Sequence, residues 1–551
     1  MKERGRGIIA RRTSIRTCTR LRVLCFVCIF SLCASMWIIS SNTIEMNELR
    51  KNHTDTTFHH WMDSYVEKAS MIINDLDDSL PNTSDGNSSE NKNFCNIMVN
   101  WVWKEVIPFR YNDEFREVLL SHRKRHLAVS NGQPEIGQKY IIWSLSGGLG
   151  NRIQSLGSIF IAALLSKRVL LMKDWFTPLR SSKASPIKPT LLPFVNSGNK
   201  IETFRYENLR ELFWFSNNES SPRISNEFMF CGLFPMMSLK EFEEMYPNEF
   251  RKHENTKEVE LYKDSHVKID IRARHDKKLN LWKHFACTDP ESHEIDFFSK
   301  QKFVYIWTNQ YFLPLFYVNK RTKNIINNWF STNPFRSILP LIFLPSHPVM
   351  FRVLQTMRLN PFLKKRQFVG MHIRSFRRNE ILHLVKSFSY CVNRLIDESN
   401  SLQNFFLATM HSTVKTYFND LPLKGKAKFF TIESAQTTDE QSTGQGSVQE
   451  WEALTDVVLL SLSKHLFLSP SSTFGFLAAA AGEIESITIV NTKESFNHLK
   501  KDMCSVLDGN IVGEPCFASW FRLDSIGHRR HQIGCEMDEM PAWSLKCGTN
   551  G

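Results

Sequence analysis

Three stretches of this chain bring together side chains able to hold and activate an anionic ligand. In the run SGGLGNR, Gly147, Gly148 and Gly150 allow the backbone to approach a ligand closely. They also leave the first N–H groups of a following helix open to an anion or to hydroxyls, with Asn151 and Arg152 next in line. A tight turn from strand to helix needs the same glycines, so the turn alone decides nothing. In VGMHIRSF, His372 and Arg374 set an imidazole beside a permanent cation. In SSTFG, Ser472, Thr473, Phe474 and Gly475 offer hydroxyls at the start of a helix. The plain alternatives are a salt-bridged surface arginine and ordinary N-capping, and capping does not exclude phosphate binding. Asp456 lies sixteen residues before Ser472, in an apolar helix directed at that turn; the alternative is a carboxylate on a helix surface.

The surrounding pattern supplies elements to position these groups. KYIIWSL (139–145) reads as a buried strand, Ile153, Leu156, Phe160 and Leu164 recur at helical spacing, and RVLLM (168–172) is a second strand. Strand, glycine turn, helix, strand is the opening of a parallel α/β unit. A second alternation begins at FVGMHI (368–373), followed by a helix over 379–396 and strands at 405–409 and 429–432. A helix over 449–463, a strand at 466–469, a helix over 473–481 and a strand at 486–490 complete it. Residues 333–361 carry prolines and little periodicity, and read as the connection between two doubly wound halves with a cleft between them. His372 and Arg374 then fall at the carboxyl end of a strand, where such sheets bind ligands.

At 551 residues the chain is long enough for two domains plus tethering segments. Its net charge of +13 is uneven: residues 1–22 hold eight Lys or Arg against one Glu, so more than half of the excess sits in a short tail. That distribution points to a membrane surface and not to nucleic acid. Val23–Ile39 follows with no charge, near the lower length limit of a spanning helix, and the bulky Met36-Trp37-Ile38-Ile39 favours an uncleaved anchor over a signal peptide. The basic tail then stays cytosolic. Beyond the anchor lie eight of the twelve cysteines, without CxxC pairs, and sequons at Asn52, Asn82, Asn87 and Asn218. Both fit an oxidising, glycosylating lumen; eight cysteines leave the disulfide pairing open. The expected organisation is a tail (1–22), an anchor (23–39), a lumenal stem (40–135), a first domain (136–360) and a second domain with tail (361–551). The Asp-x-Asp of NDLDD falls in the stem, where it reads as a solvated charge run.

The stretch SGGLGNRIQSLGSIFIAALLSKRVLLMKDW (146–175) resembles the GLGNR…ALLTNRVLLVD segment of the plant xyloglucan fucosyltransferase family. TNQYFLPLFYVN (308–319), LPSHPV (344–349), VGMHIRSF (369–376), LLSLSKHLFLSPSSTFGFLAAAAG (459–482) and GEPCF (513–517) resemble further blocks of that family in the same order. The similarity runs over about residues 140 to 535, and collinear blocks are far more specific than any one motif.

The resemblance implies a GT-B-like fold in which two Rossmann-like halves flank a cleft. It implies a Golgi type II enzyme that inverts configuration as it moves fucose from GDP-fucose to a glycan, in this family α1,2 to galactose. By the same resemblance Arg374 is the candidate catalytic residue, receiving charge on the departing β-phosphate. The core N-glycan α1,6-fucosyltransferase has a similar order of His-x-Arg, helix Asp and Ser, which implies that His372 and Asp456 face guanine. Ser472, Thr473, Phe474 and Gly475, with Gly148, Gly150, Asn151 and Arg152, complete the implied donor site. No metal or other cofactor is expected, since no strand-flanked Asp-x-Asp occurs in the catalytic part. The expected partners are GDP-fucose, a glycan acceptor and the membrane, with a homodimer as an option and nucleic acid excluded. Two departures stand out: the plant family has Gln where this chain has His372, and Arg377 stands where other fucosyltransferases often have Asp. No catalytic base is evident beyond Asp174. The alternatives are a fucosyltransferase for another acceptor, an N-glycan core or a protein hydroxyl, and a non-catalytic lumenal sugar-binding protein.

Overall fold

The computed structural model describes residues 60–79, 86–145, 149–173, 190–195, 201–206, 231–234, 237–247, 266–270, 302–308, 311–330, 333–363, 366–374, 378–399, 403–409, 411–420, 427–432, 446–470, 472–491 and 503–508. Residues 1–60 and 61–551 separate as two units, and every element below belongs to the second. The apolar stretch Val23–Ile39 lies outside the described residues. Among those described, no helix is long and apolar enough to cross a membrane.

Helices α1 (Trp61–Ser79), α2 (Gly86–Trp101) and α3 (Asp113–Ser130) come first. They lie within residues 40–135, read above as a stem. Trp61, Tyr65, Ala69, Ile72 and Ile73 recur at helical spacing and are buried. The Tyr65 hydroxyl donates to the Pro345 carbonyl at 2.7 Å, and Asp63 pairs with Arg366 at 2.8 Å. Cys95 of α2 forms a disulfide with Cys231. The sequence carries this stripe as a short amphipathic run near residues 61–76. Asn87 falls within α2, while Asn52, Asn82 and Asn218 lie outside the described residues.

Next come β1 (Tyr140–Leu145), α4 (Leu149–Leu165) and β2 (Val169–Lys173), as the apolar pattern requires. A hairpin of β3 (Thr190–Val195) and β4 (Ile201–Tyr206) follows, then β5 (Met237–Ser238), α5 (Leu239–Met245), β6 (His266–Asp270) and β7 (Phe303–Thr308). Five strands make a parallel sheet in the order β5-β2-β1-β7-β6.

Helix α6 (Lys320–Trp329) comes next, and α7 (Pro334–Ile342) and α8 (His347–Leu359) occupy the stretch 333–361 taken above as a connection. Two of its prolines mislead because Pro334 and Pro348 sit in the first turns of α7 and α8, where the missing N–H costs nothing, while Pro340 lies inside α7.

The second alternation contains β8 (Val369–His372), α9 (Arg378–Ser399), β9 (Gln403–Ala408), α10 (Ser412–Asn419) and β10 (Ala427–Phe430). It ends with α11 (Gly446–Ser461), β11 (His465–Leu468), α12 (Thr473–Ala481), β12 (Ser486–Val490) and β13 (Cys504–Asp508). The sheet order is β10-β9-β8-β11-β12-β13, parallel except for the last pair. A disulfide from Cys391 to Cys504 ties α9 to that antiparallel edge.

Two helices are buried nearly all round. Every residue of α4 except Asn151 and Arg152 is buried, and so is every residue of α12 after Thr473. They pack on each other, α4 leading from the first sheet and α12 from the second. The alanines of α12 (FLAAAA) leave room for that close approach.

Candidate functional site

In the second sheet the chain passes from β8 to β9 on one side, then returns to place β11 on the other. The strand order reverses between β8 and β11, and in such sheets the crevice outside the carboxyl ends at a reversal is the usual ligand position. His372 is the last residue of β8, paired in register with Leu468 of β11. The strand end is pinned from both sides. The Ser469 hydroxyl accepts from the Arg374 N–H at 2.9 Å and donates to the His372 carbonyl at 3.2 Å. The Thr409 hydroxyl donates to the Ile373 carbonyl at 2.9 Å. These two hydroxyls fix where Arg374 leaves the sheet. Arg374 is half-buried, and burial draws its guanidinium below the ordinary arginine value.

Across the crevice, α12 begins with Ser472 as its N-cap, whose hydroxyl accepts from the Gly475 N–H at 3.2 Å. That hydroxyl lies 2.7 Å from Nδ1 of His372, and the Phe474 ring stacks on the imidazole at 4.6 Å. Burial, with Arg374 adding to it, lowers the His372 pKa to about 3, so the ring is neutral at physiological pH. The structure therefore gathers His372, Arg374, Ser472, Thr473, Phe474 and Gly475 in one place, an arginine at a strand end next to a capped helix start. Hydroxyls, N–H groups and a fixed positive charge together suit a phosphate.

The glycine turn of the first sheet reaches this place by packing. A Cβ at Gly150 would lie 2.8 Å from the Phe474 backbone nitrogen and 2.9 Å from the Thr473 carbonyl carbon, so glycine lets the start of α4 abut the start of α12. One turn further on, the Gln154 side-chain amide donates to the Thr473 carbonyl at 2.9 Å. Asn151 and Arg152 stand half-buried on the same first turn of α4; Gly147, Gly148 and Asp174 lie outside the described residues. Alanine at 150 must push this turn away, at a cost of about 1–3 kcal/mol by overpacking. The check is the denaturant midpoint of Gly150→Ala, expected to fall; a midpoint at or above wild type contradicts the contact.

Asp456 sits on α11, partly buried. Burial raises its pKa to about 7, with Lys415 of α10 and Arg352 of α8 drawing it down and Glu452 pushing it up. Glu452, one turn away, pairs with Arg352 at 3.3 Å, and the Lys415 ammonium donates to the Ile432 carbonyl at 3.0 Å. Sequence reasoning missed Ser469, Thr409 and Gln154, whose partners lie 95, 36 and 319 residues away. Among the described residues no three His, Cys, Asp or Glu side chains are grouped as metal ligands.

The family described as xyloglucan fucosyltransferase matches residues 118–177, from α3 through β2. Among curated proteins the chain is similar to "Probable fucosyltransferase 9" of Arabidopsis thaliana, 24% identical over 390 residues, covering 69% of this chain and 66% of that protein. It is also similar to "Probable fucosyltransferase 7" of Arabidopsis thaliana, 22% identical over 69% of this chain and 67% of that one. The matched region thus spans about two thirds of these relatives' length. A solved structure of a mutant of Arabidopsis thaliana FUT1 in complex with GDP aligns over 76% of this chain and 88% of that one, at 18% identity and a TM-score of 0.48. The family whose model matches residues 118–177 is the one that the collinear motifs resemble, and the curated proteins similar to this chain carry fucosyltransferase names.

Proposed function

We propose that the chain is an inverting fucosyltransferase that moves L-fucose from GDP-fucose to a glycan, in α1,2 linkage to galactose on a cell-wall polysaccharide or a glycoprotein glycan. The observation that carries this reading is Arg374 and the Ser472-capped start of α12 meeting at the crevice between β8 and β11. The relatives are named probable fucosyltransferases, which agrees with it. In the transfer, the bond from fucose C1 to the β-phosphate oxygen breaks, and its electron pair leaves with GDP. The acceptor hydroxyl oxygen bonds C1 from the opposite face and loses its proton. Negative charge grows on the β-phosphate, where Arg374 and the first N–H groups of α12 stabilise it more in the transition state than in the ground state. This supply of positive charge needs no metal. Labelled GDP-fucose, incubated with a panel of glycan and protein acceptors in EDTA, tests the reading. Transfer to a galactose-terminated glycan is expected, and no transfer to any acceptor, with or without added divalent cations, would sink it.

Asp456 is proposed to accept from the guanine N1–H and amino group. Only its ionised form can accept both, so GDP affinity should rise as pH passes through about 7 and level off above. Below that, affinity falls by up to about tenfold per pH unit. The GDP phosphate also titrates nearby, and Asp456→Asn removes only the protein's share. The expected result is weaker binding with a flatter profile in Asp456→Asn; the same profile as wild type would clear Asp456 of the role.

His372, where the plant family has Gln, favours a second reading in which the enzyme is the same but the acceptor is an N-glycan core or a protein hydroxyl; the acceptor panel separates the two. The proposed setting is a single-pass type II Golgi membrane protein with the catalytic region lumenal. The basic tail, the apolar run at 23–39 and the disulfides Cys95–Cys231 and Cys391–Cys504 support it. Endoglycosidase should increase the mobility of the expressed protein, and unchanged mobility argues against lumenal exposure of the sequons.

A further inference from the structure

The Ser472 hydroxyl has two neighbours, and elementary hydrogen-bond chemistry assigns the direction of both contacts. The Gly475 backbone N–H can only donate, so at 3.2 Å it takes one lone pair of the Ser472 oxygen. Ser472 is 5% exposed, and a buried hydroxyl proton needs an acceptor. The acceptor in place is Nδ1 of His372, 2.7 Å away. Nδ1 therefore carries no proton, and the neutral ring holds its proton on Nε2. The ring is also held in orientation: Phe474 stacks on it at 4.6 Å with 23° between planes, and the strand end beneath it is fixed by Ser469.

We infer that Ser472 is a positioning residue that locks His372 as the Nε2–H tautomer, leaving that N–H as the ring's single donor for the nucleotide. The inference deepens the donor-site reading above and rests on it. It also moves Ser472 away from direct phosphate binding. With its proton committed to Nδ1, its hydroxyl has none to give a phosphate oxygen, and that contact passes to the Thr473 hydroxyl and the first N–H groups of α12.

Two experiments on the full chain test this, one of them without ligand. Glycine at an N-cap costs helix stability little, so Ser472→Gly removes the hydroxyl while keeping most of the cap. In ¹⁵N-histidine NMR of the free protein, with His372 assigned by its loss in His372→Ala, Nδ1 should be unprotonated in wild type. In Ser472→Gly the ring should become a mixture of tautomers. A protonated Nδ1 in wild type overturns the inference whatever the protein binds. In GDP titrations, Ser472→Gly should weaken binding by about threefold to tenfold, the loss of one hydrogen bond's influence. Ser472→Thr, which restores the hydroxyl, should recover most of that loss. In a His372→Ala background, Ser472→Gly should change affinity by less than about twofold, because the two residues act as one. An undiminished loss in that background places the hydroxyl directly on the nucleotide and overturns the inference. Absence of GDP binding by wild type is a separate outcome: it removes the donor-site reading and the nucleotide role of His372 together, and the tautomer result then stands alone.

Discussion

Replacing Arg374 with alanine lowers the turnover of fucosyl transfer by about 10²–10³, the usual cost of losing one donor aimed at charge that develops in the transition state. The expectation rests on where Arg374 leaves the sheet. It follows the end of β8, with its backbone N–H held by Ser469 at 2.9 Å and the preceding carbonyl held by Thr409 at 2.9 Å. A cation carried on a strand end fixed in this way needs little backbone reorganisation as the β-phosphate gains charge. Half-burial strengthens its field relative to a solvated side chain. Arg374→Lys keeps the charge but loses the planar fork, so it should remain badly impaired. The split between kinetic constants is informative: turnover should fall much further than the Michaelis constant for GDP-fucose rises. Steady-state kinetics on folded variants checks this, and near-normal turnover in Arg374→Ala would remove the arginine from the mechanism.

The second large effect is on stability. Glu483 follows the Gly482 cap of α12 in a left-handed backbone conformation, φ 52°, and is 5% exposed. Its carboxylate pairs with Arg110, just before α3, and lies 3.4 Å from Arg336 of α7. Burial alone would raise its pKa, but Arg110 and Arg336 outweigh burial and hold it below the usual carboxylate value. Glu483→Ala leaves two largely buried guanidinium groups without their shared anion, which costs about 3–5 kcal/mol when a buried pair loses one partner. Because the folded pKa is depressed, the stabilisation is complete above the unfolded pKa and disappears as pH falls through the folded one. Denaturant midpoints should therefore separate wild type from Glu483→Ala widely at neutral pH. The gap should narrow in acid, below about pH 4. Equal midpoints at neutral pH would show that the ion triad holds nothing together.

Much of the donor-side half was legible in the sequence because its strands are short apolar runs bounded by turn residues. β12 and α12 fall at the expected residues, and β8 ends at His372, where ligand chemistry was expected. The reading failed where meaning depends on distant partners. The short amphipathic run near residues 61–76 gave no sign of what it packs on, and Tyr65 and Asp63 of α1 reach Pro345 and Arg366. Pro334 of α7 and Pro348 of α8 looked like breakers because their place in a first turn is visible only once the helix is known, and α7 also takes Pro340 into its interior. Gly150 was left open between a ligand's approach and a tight turn, and its nearest neighbours are the backbone of Thr473 and Phe474. Asp456 was left open between guanine contact and helix surface; its partial burial among Lys415, Glu452 and Arg352 comes from three separate helices. Spacing along one chain cannot report such a neighbourhood.

The central claim is that the crevice between β8 and β11 is a guanine-nucleotide site. Calorimetric titration of the full chain with GDP and with UDP, repeated on Arg374→Ala combined with Asp456→Asn, tests it most directly. Saturable GDP binding, at least about tenfold tighter than UDP and about a hundredfold weaker in the double variant, is the predicted result. Equal affinity for the two nucleotides, or GDP binding that the double variant leaves intact, would contradict the account.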